Sequence, residues 1–209
     1  MSRPVLDHLV YATPDVDATI EGLELRLGVR ATPGGSHPGF GTRNAIIGLG
    51  PGSYLEILGP DLEQTGPVTS PLVDLGALEA PRLVTWACRA DRLSERVAAA
   101  RAAGYDPGEV AAMRRRVPDG TALSWQLTLS PTRPGDGVVP FLIDWGESAH
   151  PSTAAPGAIV LKSLMGRHPE PKRVSMMLEA IEVDLEVEPS AEPALVAMLD
   201  TPRGIVQLT

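Results

Sequence analysis

The sequence predicts an α+β fold built from three βαβββ units, at residues 1–61, 81–146 and 157–209. Three observations predict it. A strand, a helix and three further strands recur in the same order along the chain, and such self-similarity is the signature of repeated units. Gly and Pro number 21 each among 209 residues, which favours many short elements joined by tight turns. Two stretches without hydrophobic period separate the units: residues 60–80, with three prolines, and the Ser/Ala/Pro-rich residues 147–157.

In the first unit, Val5 to Ala12 is an apolar-rich strand. Thr13 or Asp15 can cap a helix whose first turn holds Pro14 or acidic residues. Ile20, Leu23 and Leu27 recur at spacings of three and four, and the helix stops near Gly28. Strand signals return at residues 29–32, 42–49 and 53–58, with Gly50, Pro51 and Gly52 as a hairpin turn between the last two.

The second unit repeats this order. Leu83 to Ala90 is its first strand, and Asp91 opens a helix that runs through Leu93 and Val97 to Ala103 and ends at Gly104. Strands follow at residues 113–117, 123–130 and 140–145, with turns at 118–120 and 131–137. The third unit is shorter. It reads as a strand at 158–164, a helix at 171–181 with Val174, Met177, Leu178 and Ile181 on one stripe, and strands at 183–187, 195–199 and 205–208.

Composition removes several function classes. The net charge is −8, and each unit is acidic, so nucleic acid is not an expected partner. The basic run Arg114 to Arg116 reads as a solvated strand or loop. No apolar run approaches ~18 residues, so no membrane-spanning helix is expected. The residues from Met1 to His8 show no apolar leader, and the expected location is the cytoplasm. The lone Cys88 excludes an internal disulfide and a Cys-rich zinc site, and its apolar setting argues against a nucleophile. The glycines around His37 are not followed by Lys-Ser/Thr, so no nucleotide cofactor is expected.

His8 and Glu56 stand out as polar interruptions in apolar strands. Alternation places His8 with Val10, and Glu56 with Tyr54 and Leu58, leaving Leu55 and Ile57 for the helix side. A carboxylate on an inner face needs a partner. That partner is either a metal or a protonated neighbour such as the histidine itself. His37 lies in a glycine-rich approach to a strand, where substrate contacts accumulate. Asn44 is inward in one of two registers. In the strand from Leu123 to Leu129, the polar face of Ser124, Gln126 and Thr128 is assigned to the interior, with Trp125 on an aromatic wall as the alternative. His150 and His168 read as linker and helix-start residues.

The opening Asp7-His8-Leu9-Val10-Tyr11, the loop from Gly34 to Asn44, the strand Tyr54-Leu55-Glu56-Ile57 and the segment from Phe141 to Gly146 resemble the glyoxalase-like domain of the vicinal oxygen chelate superfamily. This is the superfamily of glyoxalase I, bleomycin-resistance proteins and extradiol dioxygenases. The resemblance covers residues 1–146 well and the third unit loosely. It implies that paired βαβββ modules form a curved mixed sheet around a cup, with the third module outside that pair. It also implies a divalent metal in the cup. Aligning the helix starts sets Thr85 opposite His8 and Asp144 opposite Glu56, so one histidine of the expected pattern is a threonine. His8, Glu56 and Asp144 remain as ligands for one ion of the Mn, Ni, Fe, Zn or Mg type. Asp144 also reads as a turn-proximal aspartate at a strand end.

The function expected from the resemblance is a metal-assisted lyase, isomerase or dioxygenase acting on a small oxygenated metabolite, with Glu56 as catalytic proton shuttle and His37, Asn44 and Gln126 binding substrate. The alternative is a non-catalytic protein of the bleomycin-resistance type that sequesters a small ligand. The third unit leaves an odd half-module, and either docks at an edge of the other two or pairs with a second copy in a homodimer.

Overall fold

A computed structural model describes residues 2–116, 120, 122–155 and 157–209. The first unit is β1 (Val5–Ala12), α1 (Val16–Leu27), β2 (Thr32–His37), β3 (Thr42–Gly48) and β4 (Tyr54–Pro60). The second is β5 (Arg82–Arg89), α2 (Leu93–Ala102), β6 (Glu109–Arg116), β7 (Ala122–Leu129) and β8 (Phe141–Asp144). The third is β9 (Val160–His168), α3 (Pro171–Ala180), β10 (Val187–Pro189), β11 (Ala194–Thr201) and β12 (Gly204–Leu208).

The first two units pair their strands identically. In each, the opening strand runs parallel to the last, followed by the third and the second, giving β1-β4-β3-β2 and β5-β8-β7-β6. Two seams close these halves into an eight-stranded barrel. At one, β1 and β5 are antiparallel along their length. At the other, β2 meets β6 at a single pair, Ser36 and Arg116.

Local chemistry explains the helix ends. Asp15 accepts from the Ala18 N–H at 3.0 Å, and Gly28 closes α1 in the left-handed conformation at φ 75°. Asp91 does not cap α2. Arg92 precedes that helix at φ 52° with no side-chain cap, and Asp91 instead accepts from Arg96 at 3.0 Å.

Several expected strands shift, two of them for clear reasons. The strand expected at 29–32 begins only at Thr32, because Val29 and Ala31 are buried in the core beside α1 and form no ladder. The strand expected at 183–187 is reduced to Val187–Pro189. Glu182, at φ 59°, turns the chain out of α3, and Val183 and Leu185 pack into the core without pairing. The turn expected at Pro118 and Asp119 lies outside the described residues.

The third unit pairs differently, in the order β10-β9-β11-β12. Its apolar face lies against the outside of the barrel seam. Leu9 and Tyr11 of β1 and Trp86 and Cys88 of β5 share one core with Leu195, Ala197 and Leu199 of β11 and Val174 and Leu178 of α3. The Leu83 N–H donates to the Thr209 carbonyl at 3.0 Å, and the Trp86 indole N–H donates to the Val138 carbonyl at 2.8 Å. The apolar face of the third unit is thus covered within the chain, which is the docked arrangement of the two expected. Among the described residues no helix is long and apolar enough to cross a membrane.

Leu199 has no exposed surface and sits where the two layers meet. Leu199→Ala should cost about 2–5 kcal/mol, read as a lower urea midpoint. Truncation at residue 157 should give an aggregating chain, because the outer faces of β1 and β5 lose their cover.

Candidate functional site

The barrel interior is a cup of about 600 Å³ including its open mouth. β1 and β4 pair His8 with Tyr54, so alternation aims His8, Tyr54 and Glu56 inward, with Leu9, Leu55 and Ile57 in the outer core. From β3 the inward residues are Thr42 and Asn44, and His37 lies at the end of β2. Ser70, Pro71 and Leu72 of the first linker cover one side.

One backbone irregularity organises the floor. β1 shifts register against β5 between Leu6 and His8, a bulge that lets two consecutive side chains meet. Asp7 has no exposed surface. It accepts from His8 Nδ1 at 2.7 Å, from His150 Nε2 at 2.9 Å and from the Trp145 indole N–H at 3.2 Å. The Arg89 guanidinium is 3.8 Å away. Burial pushes the Asp7 carboxyl up, but the hydrogen bonds from His150 and His8 and their charge outweigh it, holding it well below the usual carboxylate range. With Nδ1 engaged, His8 turns Nε2 into the cup, 3.8 Å from Glu56 Oε2. The ring stacks on Tyr54 with centroids 4.7 Å apart. Burial, with the Glu56 and Asp7 charges adding, pushes the Tyr54 hydroxyl well above its ordinary value, so it stays protonated.

A second chain of hydrogen bonds reaches Glu56 from the opposite wall. Arg115 donates to Asn44 Oδ1 at 2.6 Å, and the Asn44 amide donates to Glu56 Oε1. The Arg115 bond fixes the amide orientation. His37 is half-buried, with Nδ1 3.0 Å from Thr42 Oγ1. Burial pushes its imidazole pKa down, Glu56 opposing and Arg115 adding to the fall.

Of the expected site residues, the cup brings together His8, Glu56, Asn44 and His37. Gln126 and Asp144 lie elsewhere. They face each other across β7 and β8 on the outer side. Gln126 is exposed, and Asp144 accepts from the Gly146 N–H at 2.9 Å as a turn residue. The interior of these strands is instead Leu123, Trp125, Leu127, Phe141 and Ile143, so the polar face of β7 points outward. The barrel registers explain the error. His8 pairs with Tyr54 as Ala87 pairs with Phe141, which makes Ala87 and Ile143 the counterparts of His8 and Glu56. Thr85 and Asp144 belong to other positions.

Three participants lay outside the sequence expectation. Arg115 is 3% exposed rather than solvated. Asp7 holds the histidine, and His150 reaches back from the second linker to Asp7. An inward, alternating position for Arg115 was available from Met113 and Arg115, but the run of three arginines masked it.

The residues do not fit the divalent metal that the resemblance implied. The first half supplies His8 Nε2 and Glu56, and the second half sets apolar side chains at the related positions. Among the described residues no three His, Cys, Asp or Glu side chains are grouped to hold an ion. Cys88 also stays apart from chemistry, since burial pushes its thiol far above the ordinary range.

A family model described as the glyoxalase-like domain matches residues 6–181. No curated protein matches significantly. Among solved structures, a hypothetical protein from Staphylococcus aureus is 15% identical, covers 98% of this chain and 84% of its own, and superposes with a TM-score of 0.62. Methylmalonyl-CoA epimerase from Mycobacterium tuberculosis is 23% identical over 72% of this chain and 92% of its own, at a TM-score of 0.45. These similarities concern the fold.

Asp7 contributes stability that is present above the unfolded carboxylate pKa of about 3.9 and is lost as pH falls through its lower folded value. Asp7→Asn should cost about 3–5 kcal/mol at pH 7. The deficit relative to wild type should shrink below about pH 4, where the carboxylate of the unfolded chain protonates while the native one stays ionised. Urea unfolding across this range checks it, and a deficit that does not change with pH would contradict it.

Proposed function

The chain belongs to the glyoxalase-like domain family of the vicinal oxygen chelate superfamily, and from that membership we propose that its cup is an enzyme site moving a proton on a small oxygenated metabolite. The reaction type is that of a lyase or isomerase. The observation that carries this reading is the row Asp7, His8, Glu56. Asp7 is the positioning residue: it takes the Nδ1 proton as hydrogen-bond acceptor and leaves the Nε2 lone pair facing the cup. His8 and Glu56 are the acid–base pair. Their 3.8 Å separation is too long for a hydrogen bond and lets both groups reach one substrate C–H or O–H seated over the pair in the cup. The Asn44 amide orients the Glu56 carboxylate. The buried Arg115 charge behind Asn44 supports an oxyanion that develops in the cup.

A sequestering protein is the second reading. It is favoured by the apolar wall, where Trp125 and Trp145 lie with ring centroids 5.1 Å apart.

Incubation in D2O with a panel of small oxo and hydroxy acids and their esters, followed by mass spectrometry, separates the two. The expected result is deuterium incorporation into at least one compound, falling by roughly 10²–10⁴-fold in Glu56→Gln and in His8→Gln and unchanged by a chelator. Exchange that survives both substitutions would overturn the proposal. Binding without exchange would move the assignment to sequestration.

A further inference from the structure

We propose that Arg115 is an anion receptor and that the cup takes a monoanionic organic acid, its carboxylate on the guanidinium and its apolar body against the tryptophans. The inference deepens the proposed function and rests on it for the cup being the working site. Arg115 is 3% exposed. One terminal nitrogen donates to Asn44, while Nε is buried with no hydrogen-bond partner. Among the described residues no carboxylate pairs with it directly, and its link to Glu56 passes through a neutral amide. A buried guanidinium without a direct counter-charge is costly, whereas the neighbouring Arg114 is exposed.

The surroundings keep that cation in place. A Cβ on Gly34 would lie 2.2 Å from Asn44 Oδ1 and 2.7 Å from the Arg115 terminal nitrogen, so bare backbone at this point makes the space the guanidinium occupies. Charge and shape then select the ligand. A planar carboxylate matches the guanidinium fork. One cation, with Glu56 in the same cup, suits a single negative charge and opposes a phosphate dianion. Met113 and Trp125, beside Arg115 on the second half, offer the ligand's remainder an apolar surface.

Calorimetric titration with benzoate, 4-methylvalerate and 3-phenylpropionate, each beside its neutral amide, tests the proposal, with phenyl phosphate as a dianion control. At least one acid should bind roughly 10-fold or more tightly than its amide, and more tightly than the phosphate. Arg115→Met should abolish the preference while melting no lower than wild type, because an apolar side chain replaces an unpaired buried charge. Arg115→Gln gives a second test should the Met variant fail to fold. Equal affinity for acid and amide, unchanged acid affinity in the Arg115 variants, a preference for the phosphate, or binding by none of the acids would overturn the inference. Glu56→Gln separates this from the catalytic reading: it should keep or strengthen acid binding while deuterium exchange is lost. Acid binding without exchange in wild type would leave the receptor standing and remove the enzyme. Exchange without acid preference would do the reverse.

Discussion

A carboxylate shut away from water has to be satisfied by its neighbours, and Asp7 is the point at which this requirement shapes the protein. It has no exposed surface, so its charge is tolerable only with donors on its oxygens. Those donors come from three places in the chain: His8 beside it, Trp145 just past the end of β8, and His150 in the linker to the third unit. One side chain therefore ties the first strand, the second half-barrel and the crossing segment together. Because the same interaction consumes Nδ1 of His8, it also decides which ring nitrogen faces the cup. The architecture and the chemistry of the floor share this single electrostatic constraint.

The bulge at Asp7 is possible because the rest of β1 is held on both sides. β4 runs parallel along one edge and β5 antiparallel along the other, so a local loss of ladder regularity does not release the strand. The outer face of this seam is apolar and would be exposed in a two-unit barrel. β11 and α3 cover it, which gives the third unit a structural task even though its own strand order cannot form a half-cup. Arg96 joins the layers at one end, pairing with both Asp91 and Glu182 while itself buried. The floor and its outer support are thus built from the same two strands.

Much of this was legible in the residues. Strand–helix–strand order, the Asp15 cap and the Gly28 stop follow local rules, and period-2 alternation aimed His8 and Glu56 at one interior. What failed depended on register. Asp144 was one residue from the position that parity required, and a shift of one residue reverses the face of every side chain. Gln126 failed for a related reason: polar side chains on β7 suggested a polar interior, whereas this half of the barrel lines the cup with Trp125 and Leu127. Asp7 was hidden by its bulge, since strict alternation points it away from His8. His150 was hidden by distance, 143 residues from the carboxylate it meets. None of these has a local sequence signal.

The two halves of the barrel share a strand order but not a chemistry, and the asymmetry defines what the cup can do. The first half carries the titratable floor of His8, Glu56 and His37. The second answers with Ala87, Phe141 and Ile143 at the related strand positions, and with one cation, Arg115. A site with equal halves would present ligating groups from both sides to a central ion. Here the groups from one side face a wall that is apolar except at Arg115, which contacts the other half through Asn44. On the proposed reading a ligand would be given a direction: its charged end toward the Arg115–Asn44 junction, its apolar part toward Trp125, and the atoms between them toward His8 Nε2 and Glu56. Orientation of that kind would bring a reacting group to the proposed acid–base pair of His8 and Glu56.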